Sequence, residues 1–336
     1  MSGSQTTAGT HHSRAVPIAV ATTFATFMLV SLQIRGVGEL VARGAAPIAV
    51  AGTTQLLQGL VTLVLIVALR PLREGARRAY VGVRSGAIPV WAMAGGLAGA
   101  LQIAVMGVVA PIIGVAALTV LLVSGQTANG LLVDRVGLTP GGKRAITTER
   151  VLGAVLAVVA VMLVWLGTTG DERTSAPVWI LVLAVIAGAG AAIQSALNGR
   201  VAASAGQPVV AAEVNFLGGA AVMWILVGVI ALAGTSQSPA AGLDSLWLYA
   251  STVFGLLLIV NSSWAVKHLG VLLLSLVGVV GQIAGAILVD ILLPLPGSGF
   301  AWTLLLSLGV SAVAVAVAAV GRRRAERAQA TARVTP

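Results

Sequence analysis

Long apolar stretches alternate with short polar connectors along the whole chain. Ten of them, at about 16–34, 47–69, 88–110, 112–133, 150–167, 178–197, 208–233, 246–266, 270–293 and 300–320, come near the roughly 20 residues that a helix needs to cross about 30 Å of hydrocarbon. The pattern predicts ten transmembrane helices, and it repeats. Displacing the chain by 161 residues sets Gln33 on Gln194, Gly38 on Gly199 and Pro47 on Pro208. A displacement of 156 sets Trp91 on Trp247, Gly99 on Gly255, Gly114 on Gly270, Gly125-Gln126 on Gly281-Gln282, and Asp134 on Asp290. Each copy has five spans, an odd number, so the second must enter the membrane from the face opposite the first. An inverted repeat of this kind is characteristic of secondary transporters.

Composition strengthens that picture. Hydrophobic residues make up 58% of the 336 and charged ones 9%, too few to cover the apolar surface of a water-soluble domain. The Lys and Arg behind the +10 formal charge gather in short loops and at the C-terminus, without the aromatic-interleaved basic patch of a nucleic-acid binder. The side holding both termini collects 17 of the 20 Lys and Arg, leaving Arg35, Arg43 and Arg173 to the other. The positive-inside rule therefore places both termini in the cytoplasm. Trp91, Trp165, Trp179, Trp247, Tyr249 and Trp302 stand near span ends, where amphipathic rings prefer the interface.

The expected organisation is a disordered cytoplasmic tail over 1–15, a first five-helix repeat over 16–170, a second over 171–321, and an unstructured basic cytoplasmic tail over 322–336. No cleavable secretory signal is read at the start. With no cysteine, and His11, His12 and His268 in a tail and a loop, neither a metal nor any other cofactor is expected. The expected partners are a small-molecule substrate and the lipid bilayer, with room for a homodimer and none for nucleic acid.

Candidate chemistry lies in polar residues inside spans, each costly in lipid unless it faces a cavity or a partner helix. Gln194 and Asn198 share a face of the sixth span, and Gln126 and Asn129 a face of the fourth. Packing alone accounts for many membrane amides, at about 0.6 to 2 kcal/mol each. Gln33 and Gln194 are repeat equivalents, however, as are Gln126 and Gln282, and symmetric polar positions point to the axis between repeats, where such folds bind substrate. Asn261 near the end of the eighth span joins these as a substrate-binding candidate. Glu213 is the one acid well inside a span, about 7 Å from the start of the seventh helix. It is the proton-coupling candidate, the alternative being an ion pair with Arg200. Asn215 lies about 200° round from it, so only one of the two can face a single cavity. Asp134 and Asp290 sit at span ends and suit helix-end or gate roles. No phosphate loop, catalytic triad or paired catalytic acids are present.

Five strings carry a family likeness: Gln194-Ser195-Ala196-Leu197-Asn198-Gly199-Arg200 with Gly206-Gln207-Pro208; Asn215-Phe216-Leu217-Gly218-Gly219; Gly95-Gly96-Leu97-Ala98-Gly99; Pro111-Ile112-Ile113-Gly114-Val115-Ala116-Ala117; and Gly125-Gln126 followed by Leu132-Val133-Asp134-Arg135-Val136-Gly137-Leu138. In these the chain resembles the YdcZ-type branch of the EamA-like drug/metabolite transporter superfamily, in the form that fuses two five-helix units. The resemblance implies an all-α, ten-helix inner-membrane carrier, an exporter of a small metabolite or drug-like solute, with its cavity between the two bundles. It departs from the pattern at Val37, where Asn198 stands in the second copy, and at Gln55 and Gln58, opposite Phe216 and Gly219. An asymmetric site leaning on the second half is therefore expected. The other readings are a non-transporting membrane scaffold or sensor partner, which has no need of two equivalent access states, and an intramembrane enzyme, disfavoured by the lack of buried His, Cys or paired acids.

Overall fold

A computed structural model describes residues 7–138, 142–143, 146–169, 176–235, 238, 245–295 and 302–334. The helices are α1 (Thr7–Ala42), α2 (Pro47–Ala68), α3 (Arg70–Arg84), α4 (Gly95–Val136), α5 (Thr148–Thr169), α6 (Val178–Ala205), α7 (Pro208–Leu232), α8 (Leu246–Ala250), α9 (Val253–Leu292) and α10 (Trp302–Val334), with a 3-10 turn at Val90–Ala94. No strand occurs among the described residues. Among the described residues, five helical segments are long and apolar enough to cross a bilayer, and four shorter apolar segments lie in α5, α8–α9 and α10. Their outer faces carry bare apolar side chains, among them Val64, Ile225 and Leu232, an exterior suited to lipid rather than water. The chain is an all-α membrane protein.

One of the five segments, Val90–Val136, has 47 residues, about twice what a span requires. It is interrupted at Gly114, where φ is 81° and ψ 166°, a conformation essentially confined to glycine. The two halves of α4 run in opposite directions along α6. Before the break, Gly95 lies beside Asn198 and Gly99 beside Gln194; after it, Gly125 lies beside Val185 and Gly188 beside Leu122, and Arg200 reaches Gly137. The halves of α9 do the same on α1. Gly255 lies beside Gln33 and Ala265 packs with Ala19, whereas Gly278 lies beside Phe27 and Arg35 reaches Leu293. That reversal lies between Ala265 and Gly278, the interval containing Gly270, the repeat equivalent of Gly114.

The principal pairings are α1 on α9, α4 on α6, α2 on α7 and α5 on α10. Exchanging the two copies turns the first pairing into the second and returns the other two to themselves. The self-paired helices are antiparallel: Gly52 lies beside Met223 and Thr62 beside Glu213, and Glu149 at the start of α5 pairs with Arg324 near the end of α10. A two-fold axis produces that arrangement only when it lies across the helices.

Several expectations change. The segment read as a disordered tail is helical from Thr7, because extending an existing helix carries no nucleation cost. The tail after Gly321, read as unstructured, continues α10 to Val334; its Ala, Arg and Glu are strong helix formers. The interruption expected at residue 111 falls at Gly114, the loop expected at 267–269 is contained in α9, and the eighth span opens with the short α8. The sequence reading overlooked α3. It is amphipathic, with Leu72, Gly75, Ala79 and Gly82 buried at helical spacing. Arg78 of α3 donates to the Ala205 carbonyl at 2.9 Å, which fixes the helix over the α6–α7 connection. The expected boundary between repeats at 170–171, and Arg173, lie outside the described residues.

Candidate functional site

Glycines on one helix make room for amides on the next. A Cβ on Gly99 of α4 would collide with the Gln194 amide of α6, and one on Gly255 of α9 would come within 2.7 Å of Gln33 Oε1 and 2.6 Å of Gln58 Nε2. The Gly99–Gln194 and Gly255–Gln33 pairs are repeat equivalents. Their glutamines project into a cavity of about 390 Å³ between the two copies.

The lining follows the same exchange. Val30 and Ala191, Gln33 and Gln194, Ile34 and Ser195, Gln55 and Phe216, Gly99 and Gly255, Gln102 and Leu258, Ile103 and Ile259, and Gln126 and Gln282 all line the cavity, and each pair is related by one of the two displacements. The cavity therefore sits on the two-fold axis. Phe27, Gln58, Met106, Asn198 and Asn215 complete it. Among the described residues its polar side chains are seven glutamines, two asparagines and Ser195, with no charged side chain.

Some amides are held by protein. Gln194 Nε2 donates to Asn215 Oδ1 at 3.0 Å, and Gln58 Nε2 to the Thr252 carbonyl at 2.8 Å. With its amide turned over, Gln55 donates to the Asn215 carbonyl at 3.2 Å and accepts the Ala100 N–H at 2.6 Å. Gln58 Oε1 is buried with no partner among the described residues. The side chains of Gln33, Gln102, Gln126, Asn198 and Gln282 make no protein hydrogen bond there either.

Of the sequence candidates, Gln33, Gln126, Gln194, Asn198 and Gln282 thus meet in one chamber, and two do not. Asn129 donates to the Ala189 carbonyl at 2.7 Å, and Asn261 to Thr23 and Thr26 at 3.4 and 3.2 Å; both join helix to helix outside the lining. Sequence reasoning missed Gln55, Gln58, Gln102 and Asn215. Spacing held a signal for three of them: Gln55 and Gln58 are three apart on α2, and Gln102 follows Gly99 by three on α4. The lean toward the second copy is absent, since the first supplies five amides and the second four. Gln55 and Gln58, read as departures from the family pattern, turn out to face the cavity.

Glu213 does not line the cavity. Its Oε2 accepts a hydrogen bond from the Thr62 hydroxyl between α7 and α2, and Asn215 is the residue of the two that faces inward. The pairing with Arg200 is also absent. Arg200 donates to the Leu138 and Gly137 carbonyls at 2.6 and 2.8 Å and stacks 5.3 Å from the Trp91 ring, closing the C-terminal end of α4. Asp290 has a helix-end role: its carboxylate accepts the N–H groups of Val115 and Ala116 at 2.9 and 2.7 Å, capping the helix that restarts after Gly114. Beside it, Arg35 donates to the Leu293 carbonyl at 2.6 Å and pairs with Glu39 at 2.7 Å. Among the described residues no cluster of His, Asp and Glu could hold a metal ion.

Comparison with known proteins agrees with this architecture. A solved structure titled "Crystal structure of protein" is 17% identical, with 93% of this chain and 98% of that chain covered at a TM-score of 0.52, a likeness of fold alone. None of the curated proteins matches significantly. The profile of the family described as "Putative inner membrane exporter, YdcZ" matches twice, over residues 18–163 and 179–322. The two matches begin at the displacement of 161 residues that aligns Gln33 with Gln194. The chain therefore belongs to the YdcZ family of drug/metabolite transporters, multi-pass proteins of the inner membrane, and carries two copies of the family's unit.

Proposed function

We propose that the protein is a secondary transporter that exports a small metabolite or drug-like solute by alternating access, without chemical conversion of its cargo. In this reading it has ten spans as two inverted repeats, both termini are cytoplasmic, and the cavity is the transported solute's site. The observation that carries the proposal is the cavity lining, in which eight residue pairs change places when the copies are exchanged. A site on such an axis can be closed at either end by equivalent contacts, which is what two access states of similar energy require. The Asp290 cap and the Arg35–Glu39 pair would belong to the outer closure.

Glu213 is proposed as a proton site at the α2–α7 interface rather than in the chamber. The single proton of the Thr62 hydroxyl goes to Glu213 when that carboxyl is ionised and can turn to the Gln58 carbonyl, 3.0 Å away, when a protonated Glu213 donates instead, which links the carboxyl to a cavity residue.

The absence of cysteine makes a direct test available. Ser195→Cys provides one thiol in the chamber, to be challenged with a membrane-impermeant thiol reagent from each side of oriented vesicles. Labelling from both sides, with the ratio shifting as transported solute is added, is expected of alternating access. Labelling from one side only would leave a static scaffold. Reporter fusions after Arg84, Lys143, Lys267 and Arg324 should read cytoplasmic, and those after Arg43 and Thr174 external. A cytoplasmic result at Thr174 would break the inverted topology.

A further inference from the structure

We infer that the solute is uncharged and ring-shaped, with hydrogen-bonding groups along its edge, of the sugar or nucleoside class. This rests on the transport reading above and names the chemistry of its site.

Charge is the first discriminator. Bringing an ion into a water-depleted chamber is unfavourable by several kcal/mol unless a counter-charge meets it, and the described lining offers none. Glu213 is turned to Thr62, and Asp290 and Arg200 are occupied by backbone at opposite ends of the second half of α4. An organic cation, a carboxylate or a phosphate would find only amide dipoles.

Hydrogen-bonding capacity is the second. A primary amide offers two N–H donors and an oxygen with two lone pairs, and it can turn over to exchange them. Five amides have no protein partner among the described residues, and Gln58 Oε1 is buried without one. Such groups are costly to leave unpaired. A lining with donors and acceptors in similar number, approaching from both copies, suits a solute that alternates them: hydroxyls round a sugar, or the carbonyl and N–H edge of a base with its ribose. Phe27, Phe216 and Met106 supply apolar surface for the face of a ring. The volume of about 390 Å³ falls within the usual range for small-molecule sites, roughly 300–1,000 Å³.

The test uses the full chain in lipid nanodiscs, with binding read from tryptophan fluorescence and the thermal midpoint. The probes are uridine, glucose, uridine monophosphate and tetraethylammonium. Uridine or glucose should bind, the one that does identifying the source, with affinity unchanged between 0.05 and about 0.5 M salt because no ion pair is screened. Uridine monophosphate should bind at least about 100-fold more weakly than uridine. Gln33→Leu and Gln194→Leu should each weaken binding about five- to tenfold, and Gln194→Glu should reduce uridine or glucose binding while admitting tetraethylammonium. Preference of the native chain for either charged probe would overturn the inference. So would binding of none of the four while Ser195→Cys labelling still alternates, which would spare the transport reading. One-sided labelling would overturn that reading itself, and this inference with it.

Discussion

The crossings of α4 with α6 and of α1 with α9 are the same contact built twice, with the small residue placed differently. In both, a glycine receives a glutamine: Gly99 with Gln194, Gly255 with Gln33. In both, a glycine one span later presses on the partner backbone: Gly125 on the Val185 carbonyl, Gly281 on that of Phe24. At a third point they diverge. Gly188 of α6 meets the Leu122 backbone of α4, whereas the equivalent place in α1 is Phe27, and Gly278 of α9 makes room for its ring. Packing in lipid relies on close approach rather than on a hydrophobic drive between helices. Either helix can supply the gap. The repeat therefore preserves the crossing and leaves open which partner carries the glycine.

The largest expected effect tests that difference. A Cβ at Gly188 would strike the Leu122 carbonyl, part of a fixed backbone, whereas one at Gly278 would come 2.7 Å from the movable ring of Phe27. Gly188→Ala should cost about 2–3 kcal/mol or prevent folding, and Gly278→Ala about half as much. Thermal unfolding of the purified variants measures both, and equal losses would remove the distinction drawn here.

Next comes function at the ends of the α2–α7 crossing. Glu213 and Thr62 at one end are the repeat equivalents of Gly52 and Met223 at the other, so a carboxyl exists at only one end. Glu213→Gln retains an acceptor for Thr62 but no titratable proton. Transport in vesicles between pH 5.5 and 8.5 should lose its pH dependence while expression stays normal. A profile identical to that of the native chain would reduce Glu213 to a packing residue.

A smaller effect compares the helix caps. Asp290→Ala should lower stability by about 1–2 kcal/mol, since two backbone N–H groups lose their acceptor. The repeat predicts a loss of similar size for Asp134→Ala. A silent Asp134 variant would show that the two halves of the fold restart their helices differently.

The smallest effect lies where the start of α5 meets the end of α10. Glu149 is held below the usual carboxylate range by its own backbone N–H at the start of α5, with Arg324 adding to it. A depressed carboxylate stabilises the fold at neutral pH and ceases to as pH falls through its folded value. With its partner Arg324 exposed, the contribution should be near the limit of detection: Glu149→Gln should leave the unfolding midpoint at pH 7 almost unchanged and flatten its decline below pH 5.

Much of the site was legible because the duplication singles out paired amides. Gln33 with Gln194 and Gln126 with Gln282 could be selected without knowing which way any helix turns. Where no repeat partner had the same chemistry, as with Gln55 against Phe216, Gln102 against Leu258 and Asn215 against Thr54, that signal failed. Asn129 and Asn261 were polar and in-span but turned to neighbouring helices. The α3 helix went unread because its charges masked a buried face of mostly small residues.

By itself the sequence determined the apolar segments, the duplication and the uneven spread of charge among the connectors. Each is a sum of local transfer energies and needs no knowledge of neighbours. Only the tertiary structure decided which amides share the chamber, that Asn215 rather than Glu213 faces it, and that Asp290 caps the break at Gly114. Successive residues point about 100° apart round a helix, so a side chain's surroundings depend on the rotation and register of its helix, and close packing against other helices sets both.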